Sequence, residues 1–382
     1  MKKLLLFAFL TSMLGSYSQS TRTTVSNGNA TNPLIWDCTC LPQPGEHLII
    51  NHNVVLDVDW GYLSGSLTIN QGASLTQDLT TRNISVGGTG VLNNKGTLTI
   101  RNLLLASSGS LSNTGTIGVT ANLLVTTGST FSNSSLINIS DTLGIQGTIS
   151  NNAGTINVAT FLNAGTYDNN TNGNLYVSSI LYTNTVFNNN GWVTVNLDFL
   201  NSGDATNNMI MDIKQNFYNG DSLMNTAEFI NNGLVSVGNN WFNSEDVNGT
   251  GQFCIANYTA NSGNITGTLD FCDKTGGNID ANSDTIAGTV TYCNTNCNVG
   301  EIELEKQTEV KIYPIPFEQQ LNISIVEQGN LSVRIFDVTG QELIFVPLQN
   351  GVNSLNFELS AGIYFCRIYK NGEVYHVSKL VK

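Results

Sequence analysis

This chain has little charge, proline or histidine, and no long apolar run. Of 382 residues, 15 are Lys or Arg and 28 are Asp or Glu, so 11% carry charge. That is too little charge for a disordered polyelectrolyte, and 40% apolar residues are too many for a disordered tail. Three His residues (His47, His52 and His376) exclude a His-rich metal site. A net charge of −13 argues against nucleic acid as a partner, because phosphate binding needs a basic patch. No segment reaches the ~20 apolar residues of a spanning helix. The 37 Gly residues follow no three-residue period, which excludes collagen. The remainder is rich in Asn, Ser, Thr and Gly, which are uncharged, hydrogen-bonding and turn-prone.

Residues 1–18 read as a signal peptide. Lys2 and Lys3 form its charged start, Leu4 to Leu10 and Leu14 its apolar run, and Ser16 and Ser18 the small residues that place cleavage after Ser18. Losing the two lysines takes the charge from −13 to −15. Export makes disulfides plausible. Of the seven cysteines, Cys254, Cys272, Cys293 and Cys297 cluster as candidate disulfide partners. Cys254–Cys272 with Cys293–Cys297 is the preferred pairing; other connectivities and a zinc site are the competing readings. Cys366 shares a strand face with Tyr364 and Ile368 and reads as a free core thiol.

The middle of the chain repeats. Units start at Asn94, Asn113, Asn133, Asn151, Asn169, Asn189, Asn208 and Asn225, at spacings of 19, 20, 18, 18, 20, 19 and 17 residues. Each unit carries short alternating stretches such as Leu98-x-Ile100 and Val193-x-Val195, separated by Gly/Asn/Ser turns. A 3.6-residue apolar stripe is nowhere sustained. Short strands at a near-constant period indicate a solenoid. One unit buries too few side chains to offset its own ordering, so units must stack. Stacking aligns like residues, most clearly Ile100, Val119, Ile139, Val158, Val177 and Val195. The Asn series reads as turn-forming amides bonded from rung to rung; the alternative is a sugar-binding row.

The expected architecture is all-β: a parallel β-helix of ~19-residue rungs over residues 19–300, then a small seven-stranded Ig-like β-sandwich. Trp36, Cys38, Cys40 and Pro42 are expected to cap the first end. The cysteine-rich segment from Phe253 to Cys297 is expected to close the other. Over roughly residues 36 to 290 the organisation resembles the parallel β-helices of bacterial surface adhesins and polysaccharide lyases. It rests there on periodicity, with a triangular right-handed coil as the expected form.

Composition shifts after Gly300. Residues 301–309 form a charged linker, and residues 310–382 read as seven strands with turns such as Thr339-Gly340 and Asn350-Gly351. Tyr313-Pro314-Ile315-Pro316, then Ile335 to Gly340, then Ala361-Gly362-Ile363-Tyr364, follow in order before the basic end Lys379 to Lys382. This tail resembles the type A C-terminal sorting domain of the type IX secretion system of Bacteroidota. Tyr313, Pro314, Pro316, Gly340, Gly362 and Tyr364 carry its motif. Ile315, where the family usually has Asn, and Cys366, at a usually aliphatic position, depart from it. The resemblance implies partnership with the secretion machinery, removal of the tail, and release or attachment to surface lipopolysaccharide.

Residues 19–300 hold 18 acids against Arg22, Arg82, Lys95, Arg101, Lys214 and Lys274, a net −12 that would repel a polyanion. A β-helix glycosidase or lyase is the alternative function. Its candidate carboxylates are Asp57 with Asp59 and Asp198 with Asp212, read more readily as solvated outer positions or weak calcium ligands. With no nucleophile motif and no cofactor signature, the sequence favours an adhesin or a glycan- or protein-binding surface module. Tyr167, Tyr176, Tyr182, Trp192, Tyr218 and Trp241 are its candidate surface aromatics for stacking on sugars, although such residues at strand positions more often serve core or turn packing. Asp141-Thr142-Leu143, Asp221-Ser222-Leu223 and Asp284-Thr285-Ile286 resemble an O-glycosylation motif of Bacteroidota.

Overall fold

Strand-length apolar alternation in this chain closes into a coil with three parallel ladders. The computed structural model describes residues 20–62, 65–79, 81–220, 227–293, 297, 310–325, 329, 331–337, 341–357, 359–360, 362–370 and 373–382. The expected signal peptide with its cleavage point at Ser18, the linker 301–309, Gly340, Asn225 and the Asp221 motif lie outside these residues. The chain divides into two compact units at Cys297.

In the first unit each rung supplies one strand to each ladder, as Val91–Asn94, Thr97–Ile100 and Asn102–Ala106 do. The first ladder is a 12-stranded parallel sheet; the second and third are joined in a 24-stranded one. The sole helical turn among the described residues is the 3-10 segment Pro33–Ile35. Ile100, Val119, Ile139, Val158, Val177 and Val195 are consecutive register partners, as expected. All are buried in one continuous core. Aliphatic in the early rungs, that core becomes aromatic later, with Phe161, Tyr167, Phe187, Phe199, Phe217, Phe229, Trp241, Phe253 and Phe271 fully buried. Corners are tight: a Cβ on Gly115 would lie 2.2 Å from the Gly96 carbonyl oxygen one rung away, so glycine is required there.

The Asn ladder is present, with a correction to its end. Asn94, Asn113, Asn133, Asn151, Asn169, Asn189 and Asn207 each donate Nδ2 to the Oδ1 of the next in the series, which ends at Asn231, at 2.8–2.9 Å. Asn207 takes the place expected for Asn208. One residue along a strand reverses the side chain, and Asn208 points outward. The Asn207–Asn231 rung is longer, at 24 residues. Because these amides are buried and bonded to one another, they cannot serve as a sugar-binding row.

At the first end Trp36 is fully buried, donates Nε1–H to the Ala30 carbonyl at 3.1 Å and packs near Trp60. Its antiparallel bridge to Thr24 interrupts the parallel pattern that would otherwise continue into another chain. Cys38 bonds to Cys40.

The opposite end is closed by Cys254–Cys297 and Cys272–Cys293. This corrects the expected pairing of Cys254 with Cys272 and Cys293 with Cys297. Cys254 and Cys272 are indeed register partners, but Phe271 pairs with Tyr292, which brings Cys293 beside Cys272 on the following rung. Cys272 therefore lies between two thiols and joins Cys293, and Cys254 is closed by Cys297. Inward Phe253 and Phe271 put both cysteines on the outer face, so the bridges clasp the outside of the coil.

In the second unit, Lys311–Tyr313, Gln320–Ile325 and Gly351–Asn356 form one antiparallel sheet. Glu342–Leu348, Leu331–Phe336, Ile363–Lys370 and Glu373–Val381 form another, in that order. Both sheets contribute to one core containing Leu321, Ile323, Val333, Ile335, Cys366, Ile368 and Leu380.

Candidate binding face

The three ladders present different outer faces. On the first, the outward series runs Thr68, Asn93, Ser112, Ser132, Ser150, Asp168 and Asn188. The second shows Thr99, Gly118, Asn138, Asn157, Tyr176, Thr194 and Asp212. Both are hydrogen-bonding surfaces. The third is apolar: Leu104, Leu124, Gly144, Leu162, Tyr182, Leu200, Tyr218, Phe242 and Ala260 are consecutive register partners. At about 4.8 Å per rung, the stripe is roughly 40 Å long.

Leu124 and Leu162 are 43% and 42% exposed, large values for leucine on a regular sheet. Between them Gly144 leaves a hollow of about 300 Å³, also lined by Tyr182. A Cβ at Gly144 would lie 2.7 Å from Leu124 Cδ2, so the glycine admits that side chain. Farther along, Tyr218 and Phe242 stack with ring centres 5.1 Å apart and planes 13° from parallel. Exposed Tyr258 lies 6.2 Å from Phe242. Burial, with Asp198 nearby, pushes the Tyr218 phenol above its ordinary pKa. A groove of about 560 Å³ opens beyond these rings, where the stripe shrinks to Ala260 and Ala281.

Of the expected surface aromatics, Tyr182 and Tyr218 belong to this stripe, and Tyr176 and Trp192 are exposed on the second ladder. Tyr167 and Trp241 are corrected: both are fully buried, because strand alternation turns them inward. Leu124, Leu162, Leu200 and Phe242 escaped the sequence reading. Their signal was the recurring all-apolar pair in Leu123-Leu124, Phe161-Leu162, Phe199-Leu200, Phe217-Tyr218 and Trp241-Phe242, where alternation requires one member to face out.

Each candidate carboxylate is engaged by a polar neighbour. Asp57 Oδ1 accepts from the Thr31 N–H at 3.0 Å, while Asp59 accepts from the Asn83 N–H and Nδ2, each at 3.0 Å. Each carboxylate is thus tied to a different neighbouring rung. Asp198 accepts from Asn216, and Asp212 pairs with Lys214; the register partner of Asp212 is Thr194. Among the described residues no three His, Cys, Asp or Glu gather as a metal site.

In the second unit, Tyr313 is exposed at a strand end, followed by the turn holding Pro314 and Pro316, both after cis peptide bonds. Gly362 and Lys382 exchange backbone hydrogen bonds of 3.1 and 3.0 Å, which ties the chain's last residue to the motif glycine. The Tyr364 hydroxyl donates to the Ser360 carbonyl at 2.7 Å, locking that corner. Residues 311–382 match the family model of the secretion system C-terminal sorting domain. The sorting domain marks the chain as an exported protein, secreted or held at the cell surface, and implies contact with the type IX secretion machinery. A comparison with curated proteins gives no match. Among solved structures, chitinase ChiW from Paenibacillus sp. str. FPU-7, described as a cell-surface-expressed multi-modular enzyme machinery, aligns at 12% identity with a TM-score of 0.15. The alignment covers 89% of this chain and 24% of ChiW.

Proposed function

We propose that this protein is an adhesin-type binding module carried to the cell surface by its sorting domain, with the outer face of the third ladder as its recognition surface. The observation that carries this reading is the apolar register from Leu104 to Phe242, broken only by the hollow at Gly144, on one face of a coil whose other two outer faces are mainly polar. A monomeric soluble surface rarely keeps so long an apolar strip unless something covers it. The partners are uncharged glycans or proteins, since a passenger at −12 repels polyanions. In this reading the signal peptide is removed after Ser18, and the exported protein is released or attached to surface lipopolysaccharide.

The test is attachment. Cells producing the protein should adhere to glycan-coated or cell-coated surfaces more than a deletion strain does. A Leu162→Asp/Tyr218→Asp variant, displayed at equal abundance, should lose that advantage. Unchanged adhesion by the variant would sink the assignment of this face.

A further inference from the structure

We infer that the groove at the disulfide-clasped end of the third ladder is a subsite for an uncharged saccharide; this rests on the binding-face reading and specifies its ligand. The floor is apolar and stepped, with the stacked Tyr218 and Phe242 rings giving way to Ala260 and Ala281. Tyr218 covers one face of Phe242, and a pyranose ring can set its axial hydrogens against the other, over the step down to Ala260.

The polar wall offers acceptors. Ser244, Ser262 and Ser283 donate their hydroxyls at 3.3–3.4 Å to backbone carbonyls one rung back, so their oxygen lone pairs remain for a ligand. Asp280 adds an exposed carboxylate, held in place where its Oδ2 accepts from the Thr259 N–H at 3.0 Å. The side-chain amides of Asn219, Asn243 and Asn261 are spent within their own buried ladder. Among the described lining residues there is no Lys or Arg.

Acceptors over an apolar floor, without cations, select a neutral ligand rich in hydroxyl donors. A phosphate, sulfate or uronate would meet the Asp280 charge with nothing to neutralise it. A peptide strand would bring carbonyls that need donors the groove has already committed. The Cys272–Cys293 bridge closes the loop that supplies Asp280, Ala281 and Ser283, and so braces the far wall.

The experiment uses the full mature chain and a panel of neutral gluco-, xylo- and manno-oligosaccharides, with heparin oligosaccharides as the anionic probe. Affinity is followed by calorimetry, with circular dichroism to confirm native folding of each variant. At least one neutral oligosaccharide should bind, and Phe242→Ala and Asp280→Asn should each weaken it about tenfold or more. Ser112→Ala, on the outer face of the first ladder, should leave affinity unchanged. Opening the clasp with Cys272→Ser/Cys293→Ser should weaken binding as Asp280→Asn does. Binding lost in Leu124→Ser but kept in Phe242→Ala would overturn the subsite and preserve the binding face. Adhesion that persists while every neutral oligosaccharide fails, or while heparin alone binds, would overturn the saccharide. An unmutated protein that neither promotes adhesion nor binds any probe would remove the two readings together.

Discussion

Asn94 donates its side-chain amide to Oδ1 of Asn113 across 2.8 Å in the interior of the coil, and among the described residues nothing donates to its own Oδ1. Its register partner on the preceding rung is Ile69, so the amide ladder begins here with an unmatched acceptor. Farther along, every amide is both donor and acceptor. The ladder has a direction, and its first member is satisfied least.

This asymmetry predicts unequal responses to the same truncation. Asn151→Ala strands the Asn133 amide and removes the donor to Asn169, leaving two buried polar groups short of a partner. At ~1–3 kcal/mol per orphaned group, the loss should be roughly 2–6 kcal/mol. Asn94→Ala removes the donor to Asn113 Oδ1 and to the Thr116 carbonyl but strands no amide on a preceding rung, and should cost about half as much. Denaturant titration of both variants measures the difference; equal losses would contradict a directional ladder.

Facing is tested by charge. Ile139 is 4% exposed between Val119 and Val158, so Ile139→Asp buries a carboxylate without a partner and should destabilise by several kcal/mol, on the order of 3–5. Thr116→Asp, at a half-exposed strand start, should change stability by less than about 1 kcal/mol. Thermal melting of the two proteins would reveal a wrong inward face as equal destabilisation.

Cysteine chemistry gives a third check. Peptide mapping without reduction should recover Cys254 linked to Cys297 and Cys272 linked to Cys293. A Cys254–Cys272 peptide would refute the clasp. Burial pushes the Cys366 thiol up to about 12, so iodoacetamide should label it only after unfolding.

Acid should act through Glu46. Burial alone would raise its carboxyl pKa, but hydrogen bonds from Arg22, Ser20 and the Gln43 N–H outweigh it and hold the pKa at about 2. The folded value lies below the unfolded one, so this contribution is complete above about pH 4.5 and is lost as pH falls towards 2. Glu46→Gln should be less stable than wild type at pH 6, and the gap should shrink steadily over that window. A gap that stays constant from pH 6 to pH 2 would show that the ion pair has no such role.

The sorting domain can be tested by transplant. Residues 305–382 fused to a periplasmic reporter should carry it across the outer membrane of a type IX-competent host. Truncation after Gly300 should leave the native protein in the periplasm. Surface display of the truncated protein would refute the sorting role.

Alternation and a steady period were enough to establish a parallel coil, because a strand's side chains alternate rigidly and a rung cannot stand alone. The Ile100 to Val195 ladder was legible for that reason. The tail was legible too, through Tyr313-Pro314, Gly362 and Tyr364 in their order. Corners interrupt the alternation, however, and each can reset its phase by one residue. Asn207 rather than Asn208, and buried Trp241 beside outward Phe242, became distinguishable only once neighbouring rungs were in register. The cysteine pairing likewise depended on which strand stacks beside Cys272, a relation across 21 residues that local sequence does not encode. The apolar face was decided at the same level. Leu124, Leu162, Tyr218 and Phe242 are far apart in the chain, and only stacking at about 4.8 Å per rung turns them into one surface.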